Sequence, residues 1–242
     1  MKIIFILVNP AVPANVGAAA RAIKTMGFSE LRLVNPCDHL GMEARMLAHA
    51  SNEILESARV FASLGEAVKD VDLVIGATAR RRTKRVECVR SNLLTQLILE
   101  KGKSIRTVAM VFGSEESGLS NEDAGLCDIL TSISMAVKYP SLNLAQAVMV
   151  FAYELSPLAG RKLRAHAAKD DRESWKALKN KSEALLDGIG IAESDLLRTR
   201  IMERFALLGE TDVHLLHSII ARLYKNGFQP GNATLLSQST EQ

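Results

Sequence analysis

The sequence predicts an α/β protein built on a mostly parallel sheet, followed by a small helical extension. Short apolar runs alternate with amphipathic helical patterns over the first part of the chain. Several runs are apolar at consecutive positions, which is typical of strands covered on both faces. Near Pro157–Gly160 the alternation ends and only helical periodicity continues. We therefore expect an α/β domain over residues 1–158 and a helical extension over residues 159–242.

The predicted strands are the short apolar runs of the first domain. In chain order these runs are Ile3–Val8, Leu31–Val34, a shorter one near Ala58–Phe61, Leu73–Ile75, Val108–Phe112 and Ile129–Ile133. Sequential alternation of strands with helices favours parallel pairing, because each crossover helix returns the chain to the end of the sheet at which the previous strand began.

The predicted helices are marked by apolar spacing and by capping residues. The first has one apolar face, with Gly27 as its stop signal. Ser63 with Glu66 forms a capping box, Ser91 can cap residues 92–101, and Ser120 with Asp123 begins another short helix. A long helical run extends from Leu142 to about Leu155.

The extension contains three amphipathic helical patterns. They cover about Glu173–Leu186, Glu193–Leu208 and Asp212–Tyr224, and glycines separate them. The charged, alanine-rich stretch Arg161–Arg172 that precedes them is typical of a linker or an exposed helix. The tail after Gly227 is polar.

Composition limits the function classes. A net charge of +3 permits a nucleic-acid partner without requiring one. Three cysteines without CxxC spacing argue against a zinc site and a disulfide scaffold, so we expect a reducing cytoplasm and no metal. His214 and His217 are three residues apart on a predicted helix, as in a pair of metal ligands, but no third candidate metal ligand lies nearby in the sequence. The apolar start of the chain is too short for a membrane span, so no membrane partner is expected.

The first motif, Asn15–Arg21, directly follows the first predicted strand. Neither a GxGxxG nor a GxxxxGK[ST] pattern is present, so any nucleotide cofactor is held in another way. Asn15 can cap the helix or hydrogen-bond a ligand, and Gly17 permits close approach of another backbone. The alternative is a capping asparagine with a surface arginine at Arg21.

Two further motifs occur at the end of a strand and the start of a helix. In Val111–Leu119, two glycines bracket a tight loop at a strand's carboxyl end, where ligands of open α/β sheets gather. In Tyr139–Ala145, Ser141 and Asn143 stand at a helix start. The alternatives are an ordinary strand–turn–helix with solvated glutamates, and a plain N-cap with a buried asparagine.

Together the patterns N-x-G-x-x-x-R, FGxExxGL and SLNLAxAV, in this order, resemble the three motifs of the SPOUT methyltransferases. They are most similar to the branch that methylates ribose 2′-oxygens, over roughly residues 1–158. The resemblance implies a parallel sheet with a C-terminal trefoil knot, S-adenosyl-L-methionine as cofactor, and a homodimer formed through the knotted domain. Residues 22–36 and the C-terminal helices further resemble the tRNA methyltransferases of cytidine or uridine 32. One position of the second motif departs from that branch, which often has a basic residue where this chain has Ser114.

The resemblance also implies the site residues. The methyl donor would lie between three loops, with these cofactor-binding residues: Ala77, Thr78, Ala79, Gly113, Ser114, Glu115, Ile133, Pro140, Ser141 and Leu142. The catalytic residues would be Arg21, Asn15, Ser141 and Asn143. A guanidinium stays protonated in proteins, so we interpret Arg21 as an anchor and electrostatic stabiliser, although the family proposals give it a base role.

The partner predicted by this resemblance is tRNA. The densest basic run is Arg80–Arg85, which follows a predicted donor loop and suits contact with phosphates. The extension carries further scattered basic residues, and we expect it to serve RNA choice; the alternative is that it only buries surface of the first domain. The wobble nucleotide or ribosomal RNA are alternative targets, and a non-catalytic RNA-binding module is the alternative function. The intact motif residues argue against the last.

Overall fold

The computed structural model describes residues 1–79, 88–137, 141–160 and 174–226. Its centre is a seven-stranded sheet in the order β3-β2-β1-β6-β4-β7-β5, and every neighbouring pair is parallel. The strands are β1 (Lys2–Val8), β2 (Glu30–Val34), β3 (Arg59–Phe61), β4 (Leu73–Ala77), β5 (Val89–Arg90), β6 (Thr107–Phe112) and β7 (Ile129–Ser132). The predicted α/β class with a mostly parallel sheet is therefore confirmed.

Helices connect the strands and complete the extension. In the described part of the chain they are α1 (Pro13–Thr25), α2 (Met42–Ala48), α3 (Asn52–Glu56), α4 (Leu64–Ala67), α5 (Leu94–Glu100), α6 (Asn121–Gly125), α7 (Leu144–Leu155), α8 (Trp175–Gly188), α9 (Leu196–Ala206) and α10 (Glu210–Lys225). None of these helices combines the length and the apolar character that crossing a membrane requires.

Both faces of the sheet are covered, as the consecutive apolar runs predict. In β1, Phe5 and Leu7 belong to a large buried cluster on one face, whereas Ile4 and Ile6 belong to a smaller cluster on the other. Alternate residues of a strand point to opposite faces, so a strand buried on both sides is apolar throughout.

Two predicted capping residues of the first domain, Ser63 and Ser120, are confirmed, and two, Ser91 and Asn15, are wrong. The side chains of Ser63 and Ser120 each accept a hydrogen bond from the backbone N–H three residues on. Ser91 caps no helix: it begins a short 3₁₀ turn, and its hydroxyl donates to Glu154 instead. Asn15 does not cap α1 either, because the helix begins at Pro13 and Asn15 already lies in its first turn.

Gly17 permits the close backbone contact that the sequence predicts. A Cβ at this position would lie 2.0 Å from the carbonyl oxygen of Ala44 in α2. Helix α1 packs against both α2 and α7. This packing holds the first motif beside the start of α7, where the third motif ends.

The extension docks on the first domain through buried side chains. Trp175 and Leu178 of α8 are fully buried and belong to the same core cluster as the sheet. The Lys101 Nζ atom lies 4.4 Å from the centre of the Trp175 ring, and burial lowers the pKa of Lys101 to about 8. The packing therefore favours the alternative in which the extension covers surface of the first domain.

The extension docks at the end of the sheet where the strands begin. Lys179 of α8 pairs with Asp128, just before β7, with Nζ and Oδ1 2.6 Å apart. The Lys176 ammonium donates to the carbonyl of Lys69, which precedes β4 in the chain. The carboxyl ends of β4 and β7, about 15 Å away for strands of four to five residues, stay clear of these contacts.

Candidate functional site

A cavity of about 420 Å³ opens at the carboxyl ends of β4, β6 and β7. Small-molecule sites occupy about 300–1,000 Å³, so the cavity is large enough for a nucleoside-sized ligand. Nine of the ten predicted cofactor-binding residues line it: Ala77, Thr78, Ala79, Gly113, Ser114, Glu115, Ile133, Ser141 and Leu142. The tenth, Pro140, lies outside the described residues, as does the basic run Arg80–Arg85.

The loop after β6 is closed on itself. The Gly118 N–H donates to the Ser114 carbonyl at 2.9 Å, and the Ser114 and Ser117 hydroxyl oxygens are 2.9 Å apart. A Cβ at Gly113 would lie 2.0 Å from the Gly118 carbonyl carbon, so any side chain there would open the loop. The glycines thus allow a backbone turn tight enough to leave the cavity open.

The three sequence motifs meet in one hydrogen-bonded network. The Asn143 Nδ2 atom donates to Asn15 Oδ1 at 2.9 Å, and the Asn15 Nδ2 atom donates to Glu115 Oε1 at 2.8 Å. The same carboxylate accepts from the backbone N–H groups of Ala11 at 2.9 Å and Val12 at 3.3 Å. We name Asn15, Glu115 and Asn143 the motif network. It ties the start of α1 and the loop after β6 to the start of α7.

Hydrogen bonding sets the charge state of Glu115. Partial burial acts to raise the pKa of this carboxyl group, but the donors at Ala11, Asn15 and Val12 outweigh it and the pKa lies below its ordinary value. The ionised form can accept all these bonds, whereas the protonated form cannot. Glu115 therefore acts as a charged clamp on the backbone that precedes α1.

Asn143 has two tasks at once. Its Oδ1 atom accepts from the backbone N–H groups of Ala145 and Gln146, while Gln146 Oε1 accepts from the Asn143 N–H, which completes a capping box on α7. Its Nδ2 atom remains available for Asn15. The alternative interpretation of Asn143 as an N-cap is thus correct, but the residue also bonds to Asn15. Its side chain is exposed, and not buried as that interpretation had expected.

The structure does not bring Arg21 to the cavity of its own chain. Arg21 is exposed on α1 and does not line the cavity. It lies six residues after Asn15, about 9 Å further along the helix axis and on a different side of it. Ser141, by contrast, lines the cavity.

Further residues line the cavity beyond the predicted cofactor-binding set, six of them within the second and third motifs. They are Phe112, Glu116, Ser117, Gly118, Leu119, Ser132, Met135, Leu144, Ala147 and Phe151. The last three follow helical spacing along α7, a signal that could have identified them once Ser141 and Leu142 were assigned to the cavity.

The basic residues of the extension differ in their exposure and in their contacts. Arg198 pairs with Asp187 and donates to the carbonyl of Ile191 at 3.1 Å, so its guanidinium is occupied within the extension. Arg200, Arg204, Arg222 and Lys225 are exposed. Arg198 is one of the scattered basic residues that we expected to serve RNA choice, and these contacts within the extension do not support that role.

Comparison with known proteins agrees with the motifs. Residues 2–153 match the SpoU rRNA Methylase family, and residues 172–227 match the C-terminal domain of the tRNA/rRNA methyltransferase LasT. The chain is 40% identical over 226 residues to a protein of Escherichia coli strain K12 described as an uncharacterized tRNA/rRNA methyltransferase, LasT. That match covers 93% of this chain and 99% of the relative.

Two proteins named TrmJ are also similar. The tRNA (cytidine-2′-O-)-methyltransferase TrmJ of Methanocaldococcus jannaschii is 39% identical over 154 residues, which cover 62% of this chain and 65% of that protein. The crystal structure of TrmJ from Z. mobilis ZM4 aligns with a TM-score of 0.63 at 28% identity, covering 93% of this chain and 100% of that one. The chain therefore belongs to the SpoU methylase family of SPOUT proteins, in its TrmJ-like branch.

Proposed function

We propose that this protein transfers a methyl group from S-adenosyl-L-methionine to a ribose 2′-hydroxyl of tRNA, at cytidine or uridine 32 of the anticodon loop. The observation that carries the proposal is the motif network, which joins residues 100 and 128 positions apart in the sequence beside a cavity of suitable size. Similarity to TrmJ proteins supports the RNA substrate and the position of the reacting oxygen.

The residues of the cavity fit the proposed cofactor. Ile133 and Leu142 provide apolar walls for an adenine ring, and the loops at Ala77–Ala79 and Gly113–Glu115 offer backbone groups at its edges. When bound, S-adenosyl-L-methionine supplies an electrophilic methyl group on a sulfonium. The chain's own contribution is to align the ribose oxygen and to exclude water.

The catalytic roles follow from position and charge. Ser141, at the cavity and beside the capping residue of α7, orients the ribose or the donor by hydrogen bonding. Asn15 and Asn143 hold the first turn of α1 against α7 and shape the site. Arg21 anchors the target phosphate and stabilises the negative charge that develops on the ribose oxygen as its proton leaves.

The position of Arg21 supports the proposal that the protein is a homodimer. Its exposed position on α1, away from the cavity of its own chain, suits a residue that completes the cavity of the partner subunit. The dimer would form through the knotted domain, whose knot remains a prediction because the passage from β7 to α7 includes residues 138–140, outside the described part.

The decisive experiment maps the methylated nucleotide. Total tRNA from a strain that lacks the gene is compared with wild-type tRNA by nucleotide-resolution detection of 2′-O-methylation, and the purified protein is then supplied with donor and the unmethylated tRNA. Methylation at nucleotide 32 is expected to disappear in the first case and return in the second. Loss at the wobble nucleotide or in ribosomal RNA would assign another target, and no loss anywhere would refute the enzyme.

A further inference from the structure

Helix α10 has an apolar stripe on the side that faces away from the rest of the described chain. Its inner side buries Val213, His217 and Ile220. On the outer side, Leu215 and Ile219 are 57% and 54% exposed. A large aliphatic residue that is more than half exposed contributes little to the core, and two of them one turn apart form a continuous patch.

Two charged residues bracket this patch. Asp212 and Arg222 are exposed on the same side of the helix, and the spacing from Asp212 to Leu215, Ile219 and Arg222 is three, four and three residues. A three-four spacing describes the seam along which one helix packs against another at a shallow angle. We name these four residues the α10 seam.

The charges of the seam select both the partner and its direction. If a second copy of α10 lies antiparallel across a two-fold axis, Leu215 faces Ile219 of the partner subunit and Asp212 faces Arg222 of the partner subunit. Each contact then occurs twice, as two-fold symmetry requires. A parallel pair would instead place Asp212 against Asp212 and Arg222 against Arg222, which is repulsive.

We propose that the α10 seam is a self-association surface, on which a second copy of this chain docks antiparallel and joins the dimers expected from the first domain into larger assemblies. The seam lies on the extension, and the motif network and α1 lie on the first domain, so this contact is separate from the proposed dimer interface. A nucleic acid is a poorer occupant, since the centre of the seam is aliphatic and one end is acidic.

Charge reversal tests this pairing directly. Sedimentation velocity over a wide concentration range should show species larger than a dimer for the wild-type chain. Asp212→Arg and Arg222→Asp should each weaken that association on the order of tenfold or more, because every pair becomes a like-charge pair. The double variant D212R/R222D should restore it, and so should an equimolar mixture of the two single variants.

This rescue distinguishes pairing between copies from a change within one chain. Asp212 and Arg222 are about 15 Å apart along one helix, too far for a contact within one chain, so only pairing between copies can restore the association. The double variant L215E/I219E should abolish the larger species, whereas Leu197→Glu, at an exposed leucine of α9, should leave them unchanged.

Three results would overturn the inference. The wild-type chain could show no species above a dimer at any concentration, the charge-swapped double variant could fail to rescue, or deletion of residues 227–242 could create the association by uncovering the seam. Circular dichroism and thermal melting of each variant identify any that fail to fold. The experiment needs neither RNA nor donor, so its outcome is independent of the methylation assay.

Discussion

Single residues 100 or more positions apart define the centre of the candidate site. Asn15, Glu115 and Asn143 are each a minor feature of local sequence, and each has an ordinary role available as a cap or a solvated side chain. Only the folded chain shows that their polar atoms pair with one another. No periodicity in the sequence encodes such a pairing, so resemblance to a family is the only indication in the sequence that the three belong together.

Arg21→Ala should reduce turnover far more than donor affinity. Arg21 does not line the cavity of its own chain, and we assign it to the target phosphate and the reacting oxygen, so its removal should leave the proposed contacts with the donor in place. If its electrostatic contribution resembles that of an oxyanion donor, turnover should fall about 100-fold or more. Single-turnover methylation at saturating tRNA measures the first quantity and calorimetry with S-adenosylhomocysteine the second. Turnover close to that of the wild type would remove Arg21 from the mechanism.

Glu115→Gln should reduce stability in a pH-dependent way. The pKa of Glu115 in the folded protein lies below its ordinary value of 4.5. The ionised carboxylate therefore stabilises the fold fully above pH 4.5, and this contribution disappears as pH falls through the lowered folded pKa. Melting temperatures of both proteins from neutral to acid pH should differ most near neutrality and converge in acid. Glu116→Gln, at the exposed neighbour, is the matched control; a constant gap across pH would contradict the clamp.

Elements were predictable where their buried side chains follow a period. The apolar runs of β1, β2, β4 and β6 and the amphipathic pattern of α1 correspond closely to the structure. The sequence did not predict helix α2, because its large apolar residues are not the buried ones. Ala44 and Ala48 are buried, while Met42 and Met46 are exposed. Strand β5 has two residues, too few to show alternation.

At the scale of helix α7, two substitutions of Asn143 should separate capping from the motif network. Asn143→Ala removes the cap and should cost about 1 kcal/mol, together with most of the turnover. Asn143→Asp keeps an oxygen for the Ala145 and Gln146 N–H groups but replaces the donor to Asn15 with a second acceptor. The aspartate variant should therefore melt near the wild-type temperature yet turn over poorly. Full activity in N143D would mean that the hydrogen bond to Asn15 is dispensable.

At the scale of the whole molecule, the sheet determines which end of the protein does what. The cavity and the motif network lie at the carboxyl ends of the strands, and the extension docks where the strands begin. The contacts that dock the extension therefore lie at the opposite end of the strands from the cavity, about 15 Å away for strands of four to five residues.

Donor binding should stabilise the whole protein without any metal. In the described part of the chain, no three histidine, cysteine, aspartate or glutamate side chains gather as a metal site. At a hundredfold excess over its dissociation constant, S-adenosylhomocysteine should add about 2.7 kcal/mol to the free energy of unfolding. Thermal melting with and without EDTA measures this gain. If EDTA abolishes the shift, a metal takes part in binding.

Trp175→Ala should destabilise both parts of the protein together. Trp175 is fully buried in the core cluster that also contains Phe5 and Phe112 of the sheet, and its loss also leaves the ammonium of Lys101 buried beside a void. Truncating a buried tryptophan costs about 3–5 kcal/mol. For a chain of this size that lowers the melting temperature on the order of 10 °C.

The way in which this variant melts decides whether the extension is part of the fold. If it is, far-ultraviolet circular dichroism and the release of a fluorescent donor analogue should report the same lowered transition temperature. Leu197→Ala, at a leucine that is 51% exposed on α9, should change stability by less than about 0.5 kcal/mol. An extension that serves only RNA choice predicts a different outcome, in which Trp175→Ala leaves the donor-release transition in place and impairs only the methylation of full-length tRNA.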